Sequence, residues 1–346
     1  MKLFSLTLFK QQRLLSRTVL VAALVLFVAL PTYRAKALTI TPRLEMNANP
    51  GETVHEAFRV QNEQRQSLTY FISYANFSSQ DETGNPFFSS KAEDLATWIT
   101  SVSSITVGPG ETKDIPIAIN VPVNADPGGH YAAIFLQTTP PDQSKETQVA
   151  ISAKLGTLIL LRVGGEFLQD ADILEFATLK RQRVFSSLPV TFYYRFQNTG
   201  EDHVKPLGDL LVSNSIGRTS KILPANPVDG SVLPKSIRKF ETSWVHAGPP
   251  INEKVEESLV KPPTDFWGAA KYQWQNFALG KYKAELSIVY GTQELKSQNA
   301  EFTFFIVPWQ LLSIVIPSSI VALLILWLLI KRYNRYVIKR AQKTSK

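Results

Sequence analysis

Along most of this chain apolar and polar residues alternate with a period of two, the pattern of strands with one buried face. The clearest run is Ile115, Ile117, Ile119 and Val121. Phe58 and Val60 share a face within residues 54–62, and Leu68, Tyr70, Ile72 and Tyr74 share one within 68–77. Leu38 to Pro42 reads as a first, edge strand, where proline is tolerated, and Tyr131 to Thr138 as a later one. A closing hairpin is expected over 149–163, around the polar loop 140–147. Trp98, Ile117, Ile119 and Phe135 are expected between the two sheets. Turn chemistry separates the runs: Pro50-Gly51-Glu52-Thr53, the polar loop 81–86, Pro109-Gly110-Glu111-Thr112 and Pro127-Gly128-Gly129. Proline presets φ near about −65° and glycine accepts φ > 0, so each Pro-Gly-Glu-Thr predicts a type II turn that opens a strand.

The alternation resumes at 190–197, 207–212, 238–245, 284–290 and 301–306. Residues 127–134 resemble 279–286, and the strands before them, 112–121 and 237–245, correspond. The pattern therefore predicts an all-β fold: two tandem immunoglobulin-like β-sandwich domains, 38–168 and 169–306.

Both ends depart from period two. Residues 18–30 are an apolar stretch behind Lys2, Lys10, Arg13 and Arg17, with Pro31 and then Ala35-Lys36-Ala37 after it. That is the form of a secretory signal over 1–37, cleaved after Ala37, and thirteen apolar residues are few for an uncleaved span of about 20. Residues 307–330 carry no charge. As a helix they cover about 36 Å, against a hydrocarbon core of about 30 Å. Trp309 marks one interface and Trp327, Tyr333 and Tyr336 the other. The tail 331–346 holds seven basic and no acidic residues, which by the positive-inside rule keeps it cytoplasmic. The expected protein is a single-pass type I protein of the cell membrane with an extracytoplasmic ectodomain, and the lipid bilayer is its first partner.

Charge then changes the picture. The net charge of +8 suggests nucleic acid. Yet residues 1–37 hold six of the basic residues and the tail seven, leaving 24 basic against 29 acidic between them. No nucleic-acid partner is expected. The absence of cysteine removes disulfides and thiol chemistry. His55, His130, His203 and His246 form no metal-binding pair, and nucleophile-elbow and phosphate-loop motifs are absent. The expectation is a non-enzyme with no catalytic residue, cofactor or metal. Asp81, Glu82 and Asn85 could hold calcium, but without EF-hand spacing a solvated turn explains them better. Asn76-Phe77-Ser78 is a sequon by pattern alone.

Residues 251–277 break the strand pattern with Pro262-Pro263 followed by Phe266, Trp267, Tyr272, Trp274 and Phe277. Trp267, Tyr272, Trp274 and Phe277 are the candidate ligand or membrane contacts, and 267–274 can form a short helix. Such rings stack on sugars, enter a lipid interface, or cap the sandwich.

The turn and strand units 38–43, 50–53, Trp98-Ile99, 107–111 and 126–131, with the stretch 154–163, resemble the bacterial WxL-protein-interacting, peptidoglycan- and host-binding cell-surface family over about residues 38–165. A looser similarity is to the pilus-chaperone and major-sperm-protein sandwiches. The resemblance implies an envelope binding or scaffold protein that contacts cell-wall polymer or another surface protein. The alternative is a membrane-tethered chaperone or assembly factor offering sheet edges to exported strands, with Arg43 and Lys154 as candidates to hold a client carboxylate.

Overall fold

A computed structural model describes residues 38–89, 91–140, 154–245 and 263–344. The expected signal, the body of the loop at 140–147, the strand start expected at 149–153, His246 and residues 251–262 lie outside the described residues.

The first sandwich is built from β1 (Leu38–Ile40), β2 (Arg43–Ala48), β3 (Thr53–Asn62), β4 (Leu68–Ser79), β5 (Pro86–Phe88), β6 (Ile99–Ser101), β7 (Ser104–Val107), β8 (Thr112–Asn120), β9 (Gly128–Gln137) and β10 (Leu155–Val163). A short helix, α1 (Leu95–Trp98), precedes β6. One sheet has the order β1-β3-β8-β6; the other runs β2-β10-β9-β4-β5, with β7 also on β4. The period-two residues supply the core between them: Phe58, Val60, Ile115, Ile117 and Ile119 from one sheet meet Tyr70, Ile72, Ile134, Ile159 and Leu161 from the other.

The second sandwich comprises β11 (Ala171–Thr178), β12 (Val184–Phe185), β13 (Val190–Asn198), β14 (Leu207–Asn214), β15 (Thr219–Pro224), β16 (Ser236–Trp244), β17 (Gly280–Tyr290) and β18 (Lys296–Ile306). Its sheets are β11-β13-β16 and β12-β18-β17-β14-β15. The strand orders correspond: β3 and β8 answer to β13 and β16, and β10-β9-β4 to β18-β17-β14. In both sandwiches a strand from the beginning, β2 or β12, runs parallel to the last one. The internal echo read at 127–134 and 279–286 therefore falls on equivalent strands, β9 and β17.

The two Pro-Gly-Glu-Thr turns also match. Gly51 and Gly110 take φ of 83° and 71°, conformations that cost a side-chain-bearing residue about 1 kcal/mol or more. In each turn the glutamate closes the loop backwards. Glu52 Oε2 accepts from the Asn49 N–H at 2.8 Å, and Glu111 Oε2 from the Gly108 N–H at 2.6 Å.

Three readings of the chain are corrected. Phe135 lies on the outer face of its sheet with Phe77 and Tyr131, not between the sheets. Its neighbours Ile134 and Leu136 take the inner positions, because adjacent strand residues point opposite ways. Trp98 is half-buried and packs on the core from α1. The alternation also missed β2, β5, β11, β12 and β15. In β11 a bulge between Ile173 and Glu175 shifts the register and destroys the period, and β12 is two residues long.

After β18, Val307 and Pro308 lead into α3 (Trp309–Thr344). Its stretch Trp309–Arg335 is long and apolar enough to cross a membrane. Pro317 sits inside it, and Ser318 and Ser319 nearby bond back to the Ile314 and Val315 carbonyls.

Candidate functional site

Two places gather side chains that strand patterning alone does not explain: the seam between the sandwiches and the junction with the apolar helix.

At the seam, the loop after β13 inserts Asp202 and His203 against the first sandwich. Asp202 is fully buried. Its Oδ2 accepts from Arg162 Nε at 2.5 Å and from Gln169 Nε2 at 3.0 Å, while Oδ1 lies 2.9 Å from His203 Nδ1. Burial pushes the Asp202 carboxyl up, but His203 and Arg162 outweigh it and hold the pKa below the usual carboxylate range. The His203 ring meets Tyr131 edge-on at 5.7 Å. Gly128 N-terminal to this pair has φ of 112°, and a Cβ there would come 2.7 Å from the Glu201 carbonyl oxygen. The turn glycine is thus required both by its own conformation and by the approach of the second sandwich.

Two further ties cross the seam. Arg43, expected to hold a client carboxylate, instead pairs with Asp229 at 3.1 Å and with Glu45 at 2.9 Å. Lys154 Nζ stands 5.9 Å over the Phe135 ring. The loop considered for calcium is also engaged: Arg195 Nε donates to Glu82 at 2.8 Å, and the Glu82 carbonyl accepts from the Lys239 N–H at 2.8 Å. The Arg195 guanidinium holds the Glu82 carboxyl below its ordinary value. No group of three or more His, Asp or Glu able to hold a metal occurs among the described residues.

Beside the seam, the outer face of the first sandwich carries an aromatic patch. Phe88 stacks edge-on against Phe135 at 4.8 Å and Phe77 at 6.2 Å. Phe87, the adjacent residue on the strand and so on its opposite side, is 51% exposed. Both belong to β5, which ends its sheet.

His130 is structural. Its Nδ1 lies 2.8 Å from Asp94 Oδ1, its Nε2 lies 2.9 Å from the Asp126 carbonyl oxygen, and its ring packs 4.7 Å from that of Trp98. An acceptor at each nitrogen suits the imidazolium, whose two N–H groups both donate. Burial lowers its pKa, but Asp94 and Asp126 more than compensate, so the net shift is upward.

At the other place, the expected short helix is observed as α2 (Phe266–Gln275). Asp265 caps it, accepting from the Gly268 N–H at 2.7 Å. Ala269, Ala270 and Gln273 are buried. The Gln273 side chain amide donates to Gln310 Oε1, and its own Oε1 accepts from the Leu311 N–H at 3.0 Å. Leu311 is in the first turn of α3, where N–H groups have no partner within the helix, so α2 caps the apolar helix from outside. Of the four candidate contacts, Trp267, Trp274 and Phe277 are exposed. Tyr272 is half-buried and lines a cleft with Leu188, Pro189, Val307 and Trp309. Sequence reasoning found the aromatics; it had no signal for Gln273, Asp202 or Arg162.

No family model and no curated protein matches the chain. Among solved structures, it is similar to the class 5 fimbriae chaperone CfaA at 12% identity and TM-score 0.35, covering 78% of this chain and 99% of that one. The E. coli chaperone DraB gives 10% identity and TM-score 0.34, over 78% and 98%. A chaperone–tip subunit complex of the Acinetobacter baumannii Csu pili gives 12% and 0.33, over 77% and 97%.

Proposed function

We propose that the chain is a non-catalytic, membrane-anchored binding protein whose β-sandwiches stand outside the cytoplasm and contact another protein of the cell envelope. The observation that carries this reading is the join between β18 and α3. Two residues connect the last strand to the apolar helix, and the Val307 N–H donates to the Phe185 carbonyl at 2.7 Å. The second sandwich is therefore tied to the bilayer, and the first, joined to it at the β17–β18 turn end through Gln169 and Thr292, stands beyond it. The contact face is the edge strand β5, whose Phe88 joins Phe135 on the outer face while Phe87 stands exposed on the strand's other side, since exposed apolar residues gathered on a surface mark interaction sites. The basic tail and the secretory-type N-terminus support the orientation. The resemblance over about residues 38–165 supports an envelope setting and leaves cell-wall polymer as the second ligand class.

The assembly-factor reading stands behind it. β10 is hydrogen-bonded to β9 on one side and, from Leu158 to Val163, to β2 on the other. Only Leu155 to Thr157 keep an unpaired edge among its residues, and Arg43 is engaged with Asp229.

The test replaces Phe87 with a photo-crosslinking amino acid in the full chain, in cells, with Thr100 on the opposite sheet as control. Adducts to one exported or envelope protein at 87 and none at 100 are expected. Equal labelling at both positions, or adducts with cell-wall glycan alone, would overturn the protein-binding reading.

A further inference from the structure

We propose that α2 is an interfacial foot: it lies in the headgroup layer of the bilayer that α3 enters, and so sets the tilt of the two sandwiches over the membrane. The inference does not depend on what the aromatic patch binds.

Four observations carry it. The first is direction. The Phe266 ring is 6.2 Å from that of Trp309, while Gln273, seven residues along, contacts Gln310 and Leu311. Seven residues of helix advance about 10 Å, whereas positions 309 to 311 span about 3 Å along α3. That both ends of α2 meet the same short length of α3 points to a helix running across it rather than alongside it. With α3 spanning the bilayer, α2 lies along the membrane surface.

The second is depth. Trp309 opens the apolar helix, at the level where tryptophan collects in membrane proteins. Contact with Trp309, Gln310 and Leu311 therefore places α2 at that same level.

The third is the outward stripe. Trp267, Lys271 and Trp274 are spaced i, i+4 and i+7, so they share one face. All three are exposed, the two indoles at 71% and 70%. Phe277 and Leu279 continue the exposed apolar surface beyond the helix. In water such a stripe leaves two indoles wet. In the headgroup layer their rings are shielded and their N–H groups still find acceptors. Lys271 and Lys281, both exposed, add positive charge that suits lipid phosphate.

The fourth is stiffness. The Val307–Phe185 backbone bond, the two-residue connection and the Gln273 cap leave little freedom between sandwich and span.

The absence of native cysteine makes the test direct. A nitroxide is attached at Lys271→Cys in the full chain, in nanodiscs of phosphatidylcholine, leaving both tryptophans in place. Leu295→Cys is the control. It is exposed and lies in the turn joining β17 to β18, at the opposite end of the second sandwich. Collision rates are measured with oxygen, which concentrates in lipid, and with a water-soluble nickel chelate. We expect the label at 271 to be several-fold less accessible to nickel and more accessible to oxygen than the label at 295. Adding Trp267→Ala and Trp274→Ala should raise nickel access at 271. Equal nickel access at 271 and 295 would overturn the foot; unchanged access after the tryptophans are removed would overturn their role in it. Circular dichroism of each variant separates these outcomes from misfolding.

Discussion

The two sandwiches solve one strand arrangement with different cores. The first is aliphatic: Ile72, Ile99, Ile115, Ile117, Ile119, Ile134, Ile159 and Leu161 fill it, with Phe58 and Tyr70. The second is aromatic: Phe192, Tyr194, Phe196, Phe240, Trp244, Tyr282, Tyr290 and Phe304 share one cluster. Its rings meet edge-on or stacked, as in Trp244–Tyr282 at 5.1 Å and Tyr194–Phe240 at 5.1 Å. The comparison teaches that strand order depends on which positions face inward, while the filling of the core follows volume and shape. It also shows where rigidity gathers. Trp244, Tyr282, Phe304 and Phe185 cluster at the end of the second sandwich from which α3 leaves.

The largest effect that can break this comparison is expected inside the cores. Phe304 is fully buried and touches Phe185, Phe192, Trp244 and Tyr282. Phe304→Ala should cost about 3–5 kcal/mol, and Ile119→Ala in the first sandwich about 2–5 kcal/mol. Denaturant unfolding followed by tryptophan emission should show the first loss in the transition that exposes Trp244. Equal shifts of every transition would mean that the sandwiches unfold as one unit.

Next comes the seam. Asp202→Asn leaves Arg162, about four-fifths buried, without its counter-charge; breaking such a pair costs about 3 kcal/mol. The sign with pH follows from the lowered Asp202 pKa. Its contribution is present above the ordinary aspartate pKa of about 3.9 and is lost as pH falls through the folded value. Wild type should lose seam stability only on acidification below that range, measured as melting temperature against pH. Asp202→Asn should flatten that slope, and an unchanged slope would move the acid sensitivity elsewhere.

A smaller effect tests the first sandwich alone. Asp94→Ala removes the carboxylate from His130 and should cost about 1 kcal/mol, since Asp94 is itself partly exposed. The raised His130 pKa gives the opposite pH sign. The stabilisation is complete below the unfolded histidine pKa of about 6.5 and is lost as pH rises through the folded value. Melting of wild type but not Asp94→Ala should weaken across that rise, and an identical pH profile in the two proteins would remove His130 from the account.

The smallest effect concerns the aromatic core. The Tyr194 hydroxyl is buried without a hydrogen-bond partner among the described residues, and burial pushes its pKa upward. Tyr194→Phe removes that group while keeping the ring on Phe240. The melting temperature should stay the same or rise by a few degrees, equivalent to about 1 kcal/mol. A clear fall would show that the hydroxyl is satisfied in solution.

The sequence by itself determined the long alternating strands, the paired sandwich plan, the two Pro-Gly-Glu-Thr turns, the aromatic helix and the apolar span. These rest on local signals: a period of two, a glycine that must take positive φ, an uncharged run longer than a bilayer is thick. Only the tertiary structure decided which side of β9 faces inward for Phe135, because alternation says which residues share a face and not which face is covered. It alone brought Arg43 to Asp229, 186 residues away, and Arg162 to Asp202. It alone turned Gln273 into a cap for α3 and laid α2 across the start of the span. Those contacts depend on how one sandwich sits on the other and how the last strand enters the helix, and pairings over such separations leave no periodic trace in the residues that make them.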